Sequence, residues 1–523
     1  MTGTPRSAYP VLAVLALVVL LPMASLVSVS LLPGFETGDL AFWESRYIRR
    51  VVFFSLWQAL LSTLISVGLA VVVARAFAHR GHFPYRDLVL KLFGLPLVIP
   101  AVVAVMGVVS VYGSQGWIPI GSSLYGLPGI LLAHVFFNLP LSVRLLLPVW
   151  QAIPRVHWQL ADQLGLSSWH RWRHLEWPAL RESLPGVAVL VFMLCLTSFA
   201  VVLTLGGGPR STTLEVAIFQ SLRFDFDPAR AVLLALLQLT LCATVAWTSL
   251  KFQSLPEVEL TLSSACFPAR LSKSIWHSLI IGVSSLFVFL PLLAMGVDAL
   301  LGPVAQVLRS AALWRSAAFS LLIGLSAASI SVIAGWLLLR TSSDLAFRGQ
   351  TRKSGLLEIS GSIVFVVPPL VIGTGLFVLL SPYLSVFDWA IPIVILVNAM
   401  MGLPFVIRTL GPAMRQSKLR YQRLCLSLAL SGWNRFKWID WPLLRRPAGL
   451  AAALVAALAM GDLGVIALFG TPQTTTLPLM LYQQLSAYLI QQAAVTAVFL
   501  LGFCLFVFWS LETLIGGRNN AQD

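Results

Sequence analysis

The feature that most constrains this chain is a series of apolar runs, each long enough to cross a lipid bilayer. Among its 523 residues we identify twelve: Val11–Pro33, Val52–Ala76, Leu88–Tyr112, Leu127–Trp150, Val187–Leu205, Ala231–Leu250, Ile275–Val297, Ser316–Leu339, Leu356–Leu380, Ala390–Leu410, Leu450–Leu468 and Ala493–Leu511. A hydrocarbon layer of about 30 Å is crossed by about 20 helical residues. Because backbone polar groups in lipid must be satisfied within the segment, the runs predict an all-α integral membrane protein with twelve transmembrane helices.

Composition excludes several other classes of protein. Apolar residues make up 58% of the chain and charged residues only 11%, whereas soluble domains carry about 25% charged residues. A soluble enzyme, a disordered chain and a disulfide scaffold are therefore excluded. The five cysteines contain no C-x-x-C pair, so we assign no metal site.

The basic residues predict how the chain is oriented. With the N-terminus placed in the cytoplasm, 27 of the 35 lysines and arginines fall on the cytoplasmic side and 8 on the other. Such an excess is typical of cytoplasmic loops. We therefore expect a multi-pass protein of the bacterial inner membrane with both termini in the cytoplasm. The net charge of +15 then reflects orientation in the lipid bilayer and indicates no nucleic-acid partner.

An internal repeat is visible when the chain is aligned with itself at an offset of 264 residues. This offset pairs Pro140 with Pro404, Arg144 with Arg408, Trp169 with Trp433, and Trp177-Pro178 with Trp441-Pro442. An even number of spans separates the copies, so the repeat is parallel. We predict two tandem six-helix domains, residues 1–252 and 275–523, joined by a cytoplasmic linker at residues 253–274.

The largest loops on the basic side occupy the same place in both copies, at residues 151–186 and 412–448. Each contains an amphipathic stretch, a tryptophan, a basic-aromatic stretch and Trp-Pro. Aromatic residues and arginine are typical anchors of protein interfaces, so the loops predict helices that dock into a cytosolic partner. An amphipathic helix resting on the inner leaflet is the alternative, but the duplication favours a partner with two equivalent grooves.

The two loops resemble the sequence motif of permease subunits of bacterial ATP-binding-cassette importers. That motif reads Glu-Ala-Ala, three residues, Gly, nine residues, then Ile-x-Leu-Pro. In the first loop it falls on Gln159, Leu160, Ala161, Gly165, Leu175, Trp177 and Pro178. In the second loop it falls on Arg423, Leu424, Cys425, Ala429, Ile439, Trp441 and Pro442. The spacing is kept, although the family's glutamate is replaced in both loops.

This resemblance implies the fold and the coupling mechanism of type I importers of that class. A coupling helix that inserts into a cleft of the ATPase would span Leu160–His170 and Leu424–Asn434, and these helices include Trp169 and Trp433. Two copies of a separate cytosolic ATPase subunit are implied as partners.

Within that class the chain is most similar to the fused permeases of thiamine importers. The similarity covers nearly the whole chain and is sharpest in Gln115–Leu147, Leu205–Ala231 and Gly461–Leu485. It implies import of thiamine, with its phosphate esters as further candidates, from a periplasmic thiamine-binding protein. Related fused permeases carry ferric iron, which is the alternative cargo.

The chain lacks a glycine-rich ATP site of its own. No G-x-x-x-x-G-K-[ST] occurs in the sequence, so there is no loop of that type to hold ATP phosphates. We therefore expect a transporter permease and not an enzyme. It needs no cofactor in this chain, and ATP-Mg is used by the partner subunit.

One acidic residue stands out inside an apolar run. Asp462 lies between Gly461 and Gly464, and carboxylates in mid-membrane often mark a substrate or ion path. A carboxylate with aromatic faces suits the thiazolium cation of thiamine. The alternatives are a hydrogen bond to a neighbouring helix or solvation in the translocation cavity. An ion-coupled carrier is the competing class, but few intramembrane carboxylates or histidines are available for it.

Overall fold

The structure is a computed structural model that describes residues 8–30, 45–81, 83–119, 124–249, 275–362, 364, 366–430 and 432–517. Within these ranges every regular element is helical. The predicted linker at residues 253–274 lies outside the described residues.

The N-terminal part of the chain folds into twelve described α-helices. They are α1 Tyr9–Leu15, α2 Leu21–Ser30, α3 Arg46–His79, α4 Arg86–Leu92, α5 Ala101–Tyr112, α6 Leu127–Ala152, α7 Arg155–Gln163, α8 Ser168–Arg171, α9 Trp177–Leu196, α10 Ala200–Leu205, α11 Leu214–Arg223 and α12 Pro228–Ser249. A π-helical turn joins α1 to α2 and another, Trp172–Glu176, joins α8 to α9.

The C-terminal part contributes eleven more described α-helices. They are α13 Ile275–Leu301, α14 Val304–Arg309, α15 Ala311–Phe347, α16 Thr351–Ser362, α17 Pro369–Leu380, α18 Ala390–Ser427, α19 Gly432–Arg435, α20 Trp441–Met460, α21 Gly464–Phe469, α22 Leu477–Ser486 and α23 Ile490–Gly516. A π-helical turn, Phe436–Asp440, joins α19 to α20.

The described residues contain ten helical stretches that are long and apolar enough to span a membrane, together with two apolar helices of 12 residues, α5 and α17. Large apolar side chains point outward from the long helices, among them Phe53, Leu286 and Phe506. Such an apolar exterior suits contact with lipid. The prediction of an all-α integral membrane protein agrees with this, while the total of twelve spans stays a prediction.

The third and ninth predicted spans are not continuous helices, and in this respect the sequence-based expectation is wrong. In Leu88–Tyr112 the first α-helix ends at Leu92 and the next begins only after Pro100, whose ψ of 138° is not helical. Leu356–Leu380 is broken in the same way at Pro368, whose ψ is 143°. Proline lacks an N–H and restricts the residue before it. Each break leaves only a 12-residue helix, about 18 Å long.

The first helix of each part packs against the short helix of the other part. Helix α13 packs on α5, and α2 packs on α17. At the first crossing a Cβ added to Gly107 would lie 3.0 Å from the carbonyl oxygen of Pro291. At the second, a Cβ added to Gly375 would lie 2.6 Å from Cβ of Pro22. A side chain at either crossing would therefore require the neighbouring helix to shift, and both crossings lie in the interface between the two parts.

Corresponding elements recur at the sequence offset of 264. Four consecutive elements that start at Ser168 begin and end 264 residues before their counterparts that start at Gly432. Further on, the Ser55 hydroxyl accepts a hydrogen bond from Leu214 N, and the Ser320 hydroxyl accepts one from Leu477 N, both at 2.9 Å. These bonds fix the start of α11 and of α22 against a long helix of the same part.

Candidate functional site

The first basic loop folds as two short helices separated by a tight turn. Helix α7 ends where Leu166 N donates to the Ala161 carbonyl at 3.0 Å and Gly165 N to the Asp162 carbonyl at 3.1 Å. Gly165 has a φ of +63°. This is a Schellman motif, in which glycine is favoured because the left-handed conformation is unfavourable for residues with a Cβ.

The second basic loop has the same turn with a different residue at its centre. Leu430 N donates to the Cys425 carbonyl at 2.8 Å, and Leu428 N to the Leu424 carbonyl at 3.0 Å. Ala429, at the position equivalent to Gly165, has a φ of +50°. The turn is thus kept in the second loop although alanine has a Cβ. The preceding helix α18 runs unbroken to Ser427.

These turns correct the prediction of one coupling helix in each loop. Leu160–His170 is divided between α7 and α8, and the left-handed residue Gly165 separates them. Leu424–Asn434 is divided in the same way between α18 and α19 at Ala429. A left-handed residue ends an α-helix, so neither range is a single helix.

The two loops expose the same face. Leu160 and Leu424 are 51% and 48% exposed, and Trp169 and Trp433 are 64% and 71% exposed. Ala161 and Cys425, in contrast, are both buried. Each loop thus exposes a leucine and an indole at corresponding positions. The replaced positions Gln159 and Arg423 are exposed.

The second portion of the predicted motif supports the start of a long helix in each loop. The Trp177 ring lies 6.1 Å from that of Trp172, and the Trp441 ring lies 5.9 Å from that of Phe436. Pro178 and Pro442 occupy the first turns of α9 and α20, where proline is tolerated. The side chains of Leu175 and Ile439 are half-buried.

Asp462 occupies the break between α20 and α21. Its Oδ1 accepts a hydrogen bond from Gly464 N at 3.0 Å, and its Oδ2 accepts from Val465 N and from Asn398 Nδ2, both at 3.3 Å. Gly461 allows a close approach, since a Cβ there would lie 2.9 Å from Pro100 of the N-terminal part. Asp462 and its two glycines therefore lie beside the interface between the two parts. The hydrogen bond to Asn398 of α18 agrees with the alternative that Asp462 bonds to a neighbouring helix.

A second acidic residue, which sequence reasoning missed, lies on a helix next to the Asp462 region. Glu215 in α11 is buried and accepts a hydrogen bond from Gln238 Nε2 at 2.9 Å. Helix α11 packs against α21, which begins two residues after Asp462. The sequence feature that could have identified Glu215 is its place as the one acidic residue in the apolar stretch LEVAIFQSL.

Aromatic rings lie beside these two acids. A Cβ on Gly464 would lie 3.8 Å from the Phe199 ring. The Phe199 ring in turn meets the Phe219 ring of α11, with 5.4 Å between their centroids. Two carboxyls and two phenyl rings therefore converge from both parts of the chain, a combination able to attract an organic cation. Among the described residues no group of three His, Cys, Asp or Glu side chains could hold a metal ion.

Comparison with known proteins gives a consistent set of relatives. No family model matches the chain. It is 41% identical over 547 residues to the thiamine transport system permease protein ThiP of Brucella abortus (strain 2308), covering 100% of this chain and 99% of that protein. It is 43% identical over 494 residues to the protein of that name from Escherichia coli K12, covering 92% of each. For the Haemophilus influenzae protein the identity is 38% over 521 residues, covering 97% of this chain and 96% of the relative.

Proposed function

We propose that this chain forms the membrane path of a thiamine importer, because it belongs to the family of thiamine transport system permease proteins. The observation that carries this proposal is similarity to those permeases over nearly the full chain. The chain is a multi-pass permease of the inner membrane, and not an enzyme. It moves thiamine from periplasm to cytoplasm, and the phosphate esters of thiamine are further candidate substrates.

The proposed architecture has twelve spans in two tandem parallel domains, residues 1–252 and 275–523, with the linker 253–274 between them and both termini in the cytoplasm. Support comes from the elements that recur at an offset of 264. Further support comes from α5 and α17, two short apolar helices that follow equivalent proline breaks. The excess of basic residues supports the orientation.

The proposed partners are two copies of an ATP-hydrolysing subunit and a periplasmic thiamine-binding protein. One ATPase copy docks on each basic loop, because both loops present the same exposed leucine and indole. Exposed aromatic side chains on a cytosolic loop are suited to anchoring a protein partner. ATP-Mg is bound and hydrolysed by the partner, so the permease forms and breaks no covalent bond.

The proposed substrate path passes Asp462. Its carboxyl group and that of the newly found Glu215 lie in a low-dielectric region, where an arriving cation would favour their ionised forms and be attracted more strongly than in water. Phe199 and Phe219 offer ring faces to the thiazolium ring. Gly461 and Gly464 shape the backbone around the acid.

The docking proposal is tested by truncating the two exposed indoles. Trp169→Ala and Trp433→Ala are each expected to weaken retention of the ATPase by about tenfold or more, and the double variant more strongly, as for other interface anchors. Trp509→Ala is the matched control, since Trp509 is equally exposed (63%) on the apolar helix α23. Co-purification from membranes measures the effect. Full retention of the ATPase by the double variant would contradict docking at these loops.

The cargo is tested separately from docking. The complete transporter in vesicles is supplied with labelled thiamine or labelled ferric iron, each with its periplasmic binding protein. We expect ATP-dependent uptake of thiamine alone. Uptake of iron without thiamine would assign the same architecture to the alternative cargo.

A further inference from the structure

A fully buried carboxylate fixes the first basic loop to the transmembrane helices. Glu176, in the π-helical turn before α9, has a side chain with 0% exposure. Its Oε2 accepts hydrogen bonds from Arg75 Nε at 2.8 Å and Trp150 Nε1 at 3.0 Å. Its Oε1 accepts from Arg75 Nη2 at 3.2 Å and His79 Nε2 at 3.1 Å. We refer to Glu176, Arg75, His79 and Trp150 as the Glu176 cluster.

Aromatic contacts extend the Glu176 cluster to more of the loop and to the C-terminal part. Arg75 lies over the Trp172 ring, 5.1 Å from its centroid. The His79 ring meets Trp158 of α7 edge-on at 5.8 Å and stacks on His277 of α13 at 5.4 Å. The loop is therefore linked to α3 and α6 of its own part and, through His79, to the first helix of the other part.

Such a cluster holds its geometry more firmly than an exposed ion pair does. A buried carboxylate is tolerated only when it is paired and fully hydrogen-bonded. Oε1 of Glu176 has two donors from α3, and Oε2 has one donor from α3 and one from α6. Movement of the turn relative to α3 would leave buried charge unpaired, and movement relative to α6 would break the bond from the Trp150 indole, so we expect loop and helices to move as one body.

In the described residues the second loop is attached by different groups. When α3 and α15 are aligned through the equivalent serines Ser55 and Ser320, Arg340 and Asp344 stand where Arg75 and His79 stand in α3. The Phe436 ring of this loop meets the Trp336 ring of α15, with 5.3 Å between their centroids. Asp440, the counterpart of Glu176, is partly exposed and pairs with Arg435 of the same loop at 3.3 Å. The Ser417 hydroxyl of α18 donates to Asp440 Oδ1, also at 3.3 Å, so Asp440 is held in a more exposed setting than Glu176.

We propose that Glu176 is a positioning residue that makes the two loops mechanically unequal. The first loop transmits movement of its ATPase copy to α3, α6 and α13 through the Glu176 cluster, whereas the second loop follows its ATPase copy with more freedom. This inference rests on the proposed function, in which both loops dock on an ATPase.

The test measures thiamine transported per ATP hydrolysed in the complete transporter, with the ATPase and binding protein present. Glu176→Gln keeps the shape of the side chain but removes the charge that holds Arg75 and His79. We expect the ATPase to assemble and hydrolyse ATP, with thiamine moved per ATP reduced by about fivefold or more. Asp440→Asn in the second loop is the matched variant and should change the ratio by less than about twofold. A purely structural role would lower the yield of transporter without changing this ratio.

Two outcomes would overturn the inference: an unchanged ratio in Glu176→Gln, or equal reductions in the two variants. If Glu176→Gln does not fold, Trp150→Phe decides, because it removes one donor and keeps an aromatic ring. An intermediate reduction in Trp150→Phe supports the inference and an unchanged ratio overturns it. Failure of the unaltered chain to bind any ATPase would instead refute the proposed function.

Discussion

At the scale of single residues, the two loops reach one backbone conformation with different residues. Gly165 and Ala429 both lie in the left-handed region, with φ of +63° and +50°. An L-residue with a Cβ is disfavoured there by about 1–2 kcal/mol. The second turn therefore forms against a local preference, and its neighbours must compensate for it.

We expect Ala429→Gly to stabilise the second turn by about 0.5–1 kcal/mol, because glycine adopts this conformation without strain. Hydrogen exchange of the Leu430 amide, which donates to the Cys425 carbonyl, should slow by about two- to fivefold. Gly165→Ala is the matched control and should speed exchange at Leu166. Faster exchange at Leu430 in Ala429→Gly would contradict this account of the turn.

The two buried acids give a second prediction at this scale. Asp462→Asn keeps only one of the two oxygens that accept from Gly464 N and Val465 N, and Glu215→Gln keeps nearly the same volume. Since each removes a carboxyl group that would face the cation in its ionised form, we expect the KM for thiamine uptake to rise by about tenfold in each, with a smaller change in kcat.

The control for these two variants is Asp298→Asn, near the end of α13. Our proposal does not place Asp298 on the substrate path, so the KM should stay close to that of the unaltered chain. An unchanged KM in both Asp462→Asn and Glu215→Gln would contradict a role of these acids in binding the substrate.

At the scale of elements, the interface between the two parts depends on two helix crossings at glycine. Gly107 of α5 faces Pro291 of α13, and Gly375 of α17 faces Pro22 of α2. Gly107→Ala and Gly375→Ala should each destabilise the protein by about 1–3 kcal/mol through overpacking. The unfolding midpoint of the detergent-solubilised transporter measures this.

Gly282→Ala in α13 is the control for the crossings. A Cβ at Gly282 would meet nothing within 4 Å, so the better helix propensity of alanine should leave stability equal or higher by about 0.5–1 kcal/mol. If the unfolding midpoint shifts in the same direction in all three alanine variants, packing at the crossings does not determine the stability of the interface.

The long helices were predictable because hydropathy reports directly on partition into lipid. The expected run Ile275–Val297 lies within α13, and Ala493–Leu511 lies within α23. The breaks at Pro100 and Pro368 were not predictable, because proline can kink a helix as well as end one. Which outcome prevails depends on tertiary neighbours such as Gly461, which packs against Pro100.

The candidate site was predictable only where the sequence repeats. The two loops could be located because several residue pairs, Trp169 and Trp433 among them, share one offset. The burial of Glu176 and Glu215 could not be predicted, because it is created by helices distant in sequence, such as those that carry Arg75 and Gln238. A left-handed turn could be predicted at Gly165, because glycine favours that conformation. It could not be predicted at Ala429, because alanine disfavours it.

At the scale of the whole molecule, the two parts are interlocked. The first helix of each part packs on the short helix of the other part, and Arg223 Nη2 of α11 donates to the Gly470 carbonyl at 2.9 Å across the same interface. Opening a path beside Asp462 therefore requires the two parts to move relative to each other. In our proposal the energy for this movement enters through the two basic loops.

The most direct test of that claim is accumulation of labelled thiamine against a gradient in vesicles of defined composition. One set contains this chain alone under an imposed proton or sodium gradient, and the other contains the chain with its ATPase, the thiamine-binding protein and ATP-Mg. We predict accumulation only in the second set, and its loss when ATP is replaced by a non-hydrolysable analogue. Uphill accumulation by the chain alone, driven by either ion gradient, would contradict the account.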